Sequence, residues 1–198
     1  MVGSVLPLAH STTRSRGRLI IALHAVGSTA GGLVVGCLMG LLGAWVLPEG
    51  GPWQSLCLAI AAAAYALADA DVIRVPRPQL NRQVPNVWRW RFPPSMASLM
   101  YGIGLGVGVA THIPFASLYV VAASAVLSGD VLGGGAIMAL YGFARSLPLV
   151  WFWRTGQRTG EDLAESLPNL WASRSSAAIT SSLSQALLSG LLLGAVFT

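Results

Sequence analysis

Residues 96–127 read MASLMYGIGLGVGVATHIPFASLYVVAASAVL, one apolar stretch of 32 residues with Thr111, His112 and Pro114 at its centre. A helix that crosses a membrane tolerates a missing backbone donor at that depth mainly where it is buried in protein or lines a polar cavity. The stretch therefore predicts a transmembrane helix that is broken at Pro114, with a binding site at the break.

The composition is typical of an integral membrane protein. Hydrophobic residues make up 54% of the chain, charged residues make up 10%, and the mean hydropathy is +0.65, whereas soluble domains have about 25% charged residues. Since roughly 20 apolar residues cross the hydrocarbon core, the sequence predicts an all-α integral membrane protein, a single polytopic domain with five transmembrane helices. The five predicted spans are 19–47, 53–70, 96–127, 131–153 and 176–197.

The arginines predict the orientation of these spans. They precede the first span and occupy the loops 71–95 and 154–175, whereas the two other connections contain only Glu49 and Asp130 as charged residues. Because basic loops stay on the cytoplasmic side, we predict a cytoplasmic N-terminus and an outside C-terminus. The predicted location is the inner (plasma) membrane of a bacterium, with the lipid bilayer as a partner. The net charge of +5 follows from this topology and does not predict nucleic-acid binding.

The segment 159–175 separates the last two predicted spans. It mixes acidic residues with leucines and a tryptophan, a pattern that fits an interfacial helix along the inner membrane surface. An irregular polar linker fits it equally well.

Glycines at four-residue spacing predict close contacts between helices. They are Gly32, Gly36, Gly40, Gly102, Gly104, Gly106 and Gly108. Such faces can pack within the chain, against another membrane subunit, or against a second copy in a homo-oligomer.

His112 is the main candidate for chemistry, because an imidazole at mid-span needs a partner or a water-filled cavity. It can relay protons or bind a metal ion, or it can simply form a hydrogen bond to a neighbouring helix. Thr111 can bond to carbonyls that Pro114 leaves exposed. We interpret His24, which lies inside the first span, as mainly structural.

Arg145 lies inside the fourth predicted span, where a guanidinium is costly unless it is paired or reaches the interface. Asp69 and Asp71, at the inner end of the second span, are its predicted counter-ions. The alternative is an ordinary charge beside the membrane.

The two cysteines, Cys37 and Cys57, both fall within predicted spans and form no spaced redox or metal motif. Their predicted depths differ by more than a disulfide allows. We therefore expect small buried apolar side chains, with a redox role as the less favoured interpretation.

Two segments carry a family resemblance: YGIGLGVGVATHIP at 101–114 and ALYGFARSLP at 139–148. Their glycines, threonine, prolines and arginine are similar to the CcdA/DsbD transmembrane family, which passes reducing equivalents across a membrane through a cysteine pair. The chain lacks the first helix of that family and its redox cysteines. The resemblance implies a CcdA-like helix arrangement with an inverted repeat and says little about activity.

Three functions remain open from the sequence. The first is a small transporter, or transporter subunit, for a solute or ion, with its site at the broken third helix. The second is a non-catalytic membrane subunit that scaffolds a thiol-redox, cytochrome-biogenesis or respiratory complex. The third is a thiol-disulfide electron conductor. No catalytic or cofactor motif is evident, so enzymatic activity is not favoured and no cofactor is predicted.

Overall fold

The computed structural model describes residues 14–47, 51–76, 91–108 and 116–159. Over these ranges the chain is helical and contains no strand, which confirms the predicted all-α class. Five helices have described bounds: α1 (Arg14–Val46), α2 (Pro52–Asp69), α3 (Pro94–Val107), α4 (Ser117–Leu127) and α5 (Val131–Thr159). The predicted span 176–197, and segment 159–175 beyond its first residue, lie outside the described residues.

Prolines and glycines set several helix ends. α2 and α3 each begin with a proline, whose fixed φ suits the first helical position and whose missing N–H is not needed there. α3 ends at Gly108, whose φ of 77° is left-handed. A residue with a Cβ rarely adopts this conformation, so glycine is the natural stop signal.

The apolar stretch 96–127 is therefore not one continuous helix. α3 ends before the left-handed Gly108, and α4 begins at Ser117. The last residue of α3, Val107, lies seven residues before Pro114. Residues 109–115, which include Thr111, His112 and Pro114, lie outside the described residues.

Asp130 begins α5. Its carboxylate accepts hydrogen bonds from the Gly133 amide at 2.6 Å and the Leu132 amide at 3.3 Å, so it satisfies two N–H groups that have no partner within the helix. Further along, α5 accommodates Pro148 in its interior.

α1 is the helix in the described part of the chain that is long and apolar enough to cross a membrane. Its apolar segment, Ser15–Val46, has a window of mean hydropathy 1.8 and a length of about 48 Å at about 1.5 Å per residue. It lies near the N-terminus, where a signal sequence satisfies the same criteria. The structure thus supports one candidate span, and not the five predicted.

The chain divides into two compact units, and α1 and α5 each contribute residues to both. The first unit comprises residues 1–35, 80–112 and 138–171, and the second comprises 36–79, 113–137 and 172–198. In the first unit, α3 runs parallel to the first part of α1, since Ser98 lies against Ile20 and Gly106 lies against Ser28.

α5 runs antiparallel to α1 within the first unit. Gly142 lies against Ser28, and towards the C-terminal end of α5 Leu149 forms an apolar cluster with Ile20 and Ile21. Trp153 packs on the same cluster. The N-terminal ends of α1 and α3 and the C-terminal end of α5 therefore lie at one end of this unit.

In the second unit, α2 and α4 pack side by side and antiparallel. Asp69, at the end of α2, contacts Ala116 just before α4, and Tyr65 stacks on Tyr119 one turn further along, with ring centroids 5.4 Å apart.

Candidate functional site

The most extensive group of buried polar side chains lies in the first unit, where α1 meets α3. His24 and Ser98 are 2% and 1% exposed. The Nδ1 atom of His24 is 3.3 Å from the Ser98 carbonyl oxygen, and Ser98 Oγ donates to the Ile20 carbonyl at 2.8 Å. Because a carbonyl can only accept, Nδ1 carries the hydrogen in this contact. The His24 side chain thus bonds to the backbone of α3, and the Ser98 side chain bonds to the backbone of α1.

Ser28 extends this group to α5. It is fully buried, and its Oγ donates to the Gly142 carbonyl at 2.6 Å. The backbones of α3 and α5 can approach α1 this closely because Gly106 and Gly142 have no side chain. A Cβ at either position would collide with the Ser28 carbonyl. We call His24, Ser28 and Ser98 the polar core of the first unit.

Arg145 lies beside this core, on α5. Its guanidinium donates to the Leu105 carbonyl at 3.1 Å and lies 5.7 Å from the centre of the Tyr141 ring. The Leu105 carbonyl belongs to the last turn of α3, where carbonyls have no partner within the helix. Arg145 therefore caps α3 with a favourable charge at the negative end of the helix dipole. This contact secures α3 just before residues 109–115.

In the second unit, Asp69 secures the backbone just before α4. Both of its carboxylate oxygens accept from the Ala116 amide, at 3.0 and 3.1 Å, and its side chain is buried. Asp71 is exposed and has a left-handed φ of 58°. The predicted ion pair between Arg145 and either aspartate stays a prediction.

The candidates at the predicted break, Thr111, His112 and Pro114, lie outside the described residues. Their role in a binding site stays a prediction, as does His112 as a metal ligand. Within the described part of the chain, no group of three or more His, Cys, Asp or Glu residues is arranged to hold a metal ion.

The two cysteines are free thiols, with Cys37 half-buried and Cys57 exposed. Exposure of Cys57 differs from the expected buried apolar side chain.

The predicted packing glycines have different roles. Gly32 contacts the backbone of Met138, Gly102 that of His24, and Gly106 that of Ser28, as close packing requires. Gly108 instead ends α3.

Sequence reasoning missed Ser28 and Ser98. A signal was available, because both continue the four-residue glycine spacing: His24, Ser28, Gly32, Gly36 and Gly40 form one series on α1. Ser98, Gly102 and Gly106 form another on α3. Small residues at this spacing, serine included, mark helix contacts in membranes.

Three curated proteins similar to this chain are described as methylamine utilization protein MauF. The protein from Paracoccus versutus is 37% identical over 131 residues, which are 65% of this chain and 47% of the relative. Those from Methylophilus methylotrophus and Paracoccus denitrificans are 36% and 35% identical, over 64% and 65% of this chain and 45% and 47% of the relatives. The chain thus spans just under half the length of the relatives it matches. No family model and no solved structure matches it.

These relatives show that the resemblance to the CcdA/DsbD family is wrong. It depended on glycine and proline spacing, and the structure shows what much of that spacing does. Gly102 and Gly106 admit the backbone of α1, which is a general device of close helix packing. Such spacing does not identify a family.

The predicted functions are corrected by the same finding. The matched proteins are described by methylamine utilization, so a transporter, a thiol-disulfide conductor and a scaffold for a thiol-redox, cytochrome-biogenesis or respiratory complex are all wrong. The chain is instead similar, over nearly two thirds of its length, to part of the MauF proteins.

Proposed function

We propose that this chain acts in methylamine utilization, the process by which its MauF relatives are described. The observation that carries the proposal is the 37% identity over 131 residues to the Paracoccus versutus protein. Because the match covers less than half of each relative, the proposal concerns the contribution of this helical segment. It does not extend to every activity of a complete MauF protein.

We propose further that the chain is a membrane component with five spans. The distribution of its side chains supports this, because several polar side chains are buried while many large apolar side chains are exposed. Buried polar residues are His24, Ser28, Asp69, Ser98 and Ser146, whereas large apolar side chains that are at least 60% exposed are Leu38, Trp45, Val46, Ile60, Val72, Leu132 and Leu140. A bilayer favours this arrangement, because polar groups there need partners inside the protein while apolar side chains can face lipid.

The proposed orientation places the N-terminus in the cytoplasm and the C-terminus outside a bacterial inner membrane. It is supported by the arginines that lie within or beside α1, α3 and α5 at one end of the first unit. Asp130 occupies the short turn between α4 and α5. Basic residues are retained on the cytoplasmic side, whereas acidic residues have little influence. A second copy or another membrane subunit is the proposed partner.

A chimera tests the function. In a Paracoccus versutus strain that lacks MauF and no longer grows on methylamine, the MauF gene is reintroduced with its matched 131-residue segment replaced by that of this chain. We expect growth on methylamine as sole carbon source to return, because the two segments are 37% identical over 131 residues.

Two controls accompany the chimera. Reintroduced native MauF shows the full growth rate, and MauF without the segment shows the rate that the rest of the protein supports alone. Growth on succinate checks general fitness. A chimera that accumulates in the membrane fraction, supports growth on succinate and fails on methylamine would contradict the proposal.

A further inference from the structure

Four exposed arginines lie at one end of the first unit. Arg16 and Arg18 belong to the start of α1, Arg91 precedes α3 by three residues, and Arg154 lies near the end of α5. We call these four residues the basic end. α1 and α3 run parallel to each other and antiparallel to α5, so their arginines converge although they are far apart in sequence.

Contacts within the unit fix this convergence. Ile20, two residues after Arg18, accepts a hydrogen bond from Ser98 of α3 and lies in one cluster with Leu149 of α5. Trp153, next to Arg154, packs on that cluster. All three helix ends therefore meet within about two turns of Ile20.

The sequence of the unit balances this charge only in part. It holds nine arginines and three acidic residues, and those three, Glu161, Asp162 and Glu165, lie outside the described residues. The described residues, 14–35, 91–108 and 138–159, contain no aspartate or glutamate. In addition, Arg16 and Arg18 lie at the N-terminal end of α1, where the helix dipole disfavours cations and favours anions. An anion from outside the unit would relieve both the mutual repulsion and the unfavourable dipole.

We propose that the basic end binds the headgroups of anionic phospholipids. The apolar helices below it and Trp153 at the same level place the arginines where headgroups lie, because indole rings favour that boundary. Guanidinium groups bind phosphate through paired N–H donors. This inference rests on the proposal that the chain is a membrane protein.

Native mass spectrometry of the full chain tests the inference. The protein is purified in neutral detergent and offered an equimolar mixture of phosphatidylglycerol and phosphatidylcholine. We expect bound phosphatidylglycerol to exceed phosphatidylcholine. The excess should disappear in the fourfold variant Arg16→Gln, Arg18→Gln, Arg91→Gln and Arg154→Gln, since one basic residue near an anionic surface is worth about a fivefold change in binding.

Matched variants separate charge from packing. Arg74→Gln removes an exposed arginine of the second unit and should keep the excess. The fourfold lysine variant should keep it as well, and raised salt should reduce it. Circular dichroism checks that each variant is helical. Loss in the helical lysine variant, or retention in the helical glutamine variant, would overturn the inference.

Two further results also decide the matter. If millimolar inorganic phosphate displaced phosphatidylglycerol completely, the basic end would be a site for a soluble anion and the inference would be wrong. Carbonate extraction tests the underlying proposal separately. A chain released from membranes would refute the membrane assignment, whereas a retained chain without lipid preference would refute only the headgroup site.

Discussion

At the scale of single residues, Ser28 should matter more than its neighbour Thr29. Ser28 Oγ bonds to the Gly142 carbonyl on another helix, whereas Thr29 Oγ1 bonds to the Ala25 carbonyl one turn back on its own helix. We expect Ser28→Ala to lower the free energy of unfolding by about 0.6 to 1.7 kcal/mol. SDS titration followed by circular dichroism measures this value.

Thr29→Ser is the control, because it keeps the hydroxyl and its local bond. Its unfolding free energy should stay close to that of the wild type. If Ser28→Ala were as stable as this control, the bond between α1 and α5 would contribute nothing to the first unit.

Asp69 should stabilise the second unit through its negative charge. Its carboxylate accepts the Ala116 amide next to the start of α4, where the positive end of the helix dipole favours an anion. Asp69→Asn keeps an acceptor oxygen but loses the charge, so we expect a loss of about 1 kcal/mol or more.

Asp71→Asn is the matched control for this change. Asp71 is exposed, and asparagine accepts its left-handed backbone as readily as aspartate does. Thermal unfolding in detergent compares the two variants. Equal midpoints for both would contradict a structural role for the charge of Asp69.

Sequence reasoning at this scale selected Arg145 and Asp69 because charged groups in apolar segments are conspicuous. Their contacts could not be predicted, since both bond to backbone groups. Every residue type has a backbone carbonyl, and all but proline have an N–H, so the sequence does not show which residue is the partner. Ser28 and Ser98 were missed because a single serine in an apolar helix is common. Only their four-residue spacing to glycines distinguishes them.

At the scale of elements, the contact between α1 and α5 should not tolerate a large side chain at Gly142. A Cβ there would already collide with the Ser28 carbonyl, and a backbone atom cannot rotate away. We expect Gly142→Leu to destabilise the chain by at least about 1 to 3 kcal/mol, as overpacking does. The thermal midpoint in detergent measures the effect.

Ala144→Leu provides the comparison on the same helix. Ala144 is exposed, so the added side chain meets the detergent and the midpoint should change little. A similar fall of the thermal midpoint in both variants would show that leucine destabilises α5 wherever it is placed. The contact with Ser28 would then not be the cause.

Element boundaries were predictable where chemistry marks them. The helix α2, Pro52–Asp69, covers nearly the residues of the predicted span 53–70, because a proline starts it and polar residues follow it. Its crossing of a membrane stays a prediction. The stretch 96–127 was harder, since several glycines offered a stop and only Gly108 adopts the left-handed conformation that ends α3. Composition alone does not reveal which glycine takes that conformation.

At the scale of the whole molecule, the proposed topology assigns the two ends of α5 to opposite sides of the membrane. In a chain whose Cys37 and Cys57 are replaced by serine, Ser128→Cys should react with an impermeant maleimide added to intact cells. Arg154→Cys should react only after the cells are opened. Gel-shift of the labelled protein measures both.

Unlabelled denatured protein, treated with the same reagent, shows that each new cysteine can react. Labelling of both positions in intact cells, or of neither before and after opening, would contradict a crossing by α5.

The helical class could be predicted from hydropathy alone. The function did not follow from it, because glycine and proline patterns that pack helices recur in families with different activities.

The Ala116 amide faces both carboxylate oxygens of Asp69 at 3.0 and 3.1 Å and is 0% exposed. Amide protons next to a helix start usually exchange quickly with deuterated water, because no carbonyl of their own helix holds them. Here the proton can leave only when α2 and α4 separate. Deuterium uptake at this one position therefore reports how often the second unit opens, independently of fraying elsewhere in the chain.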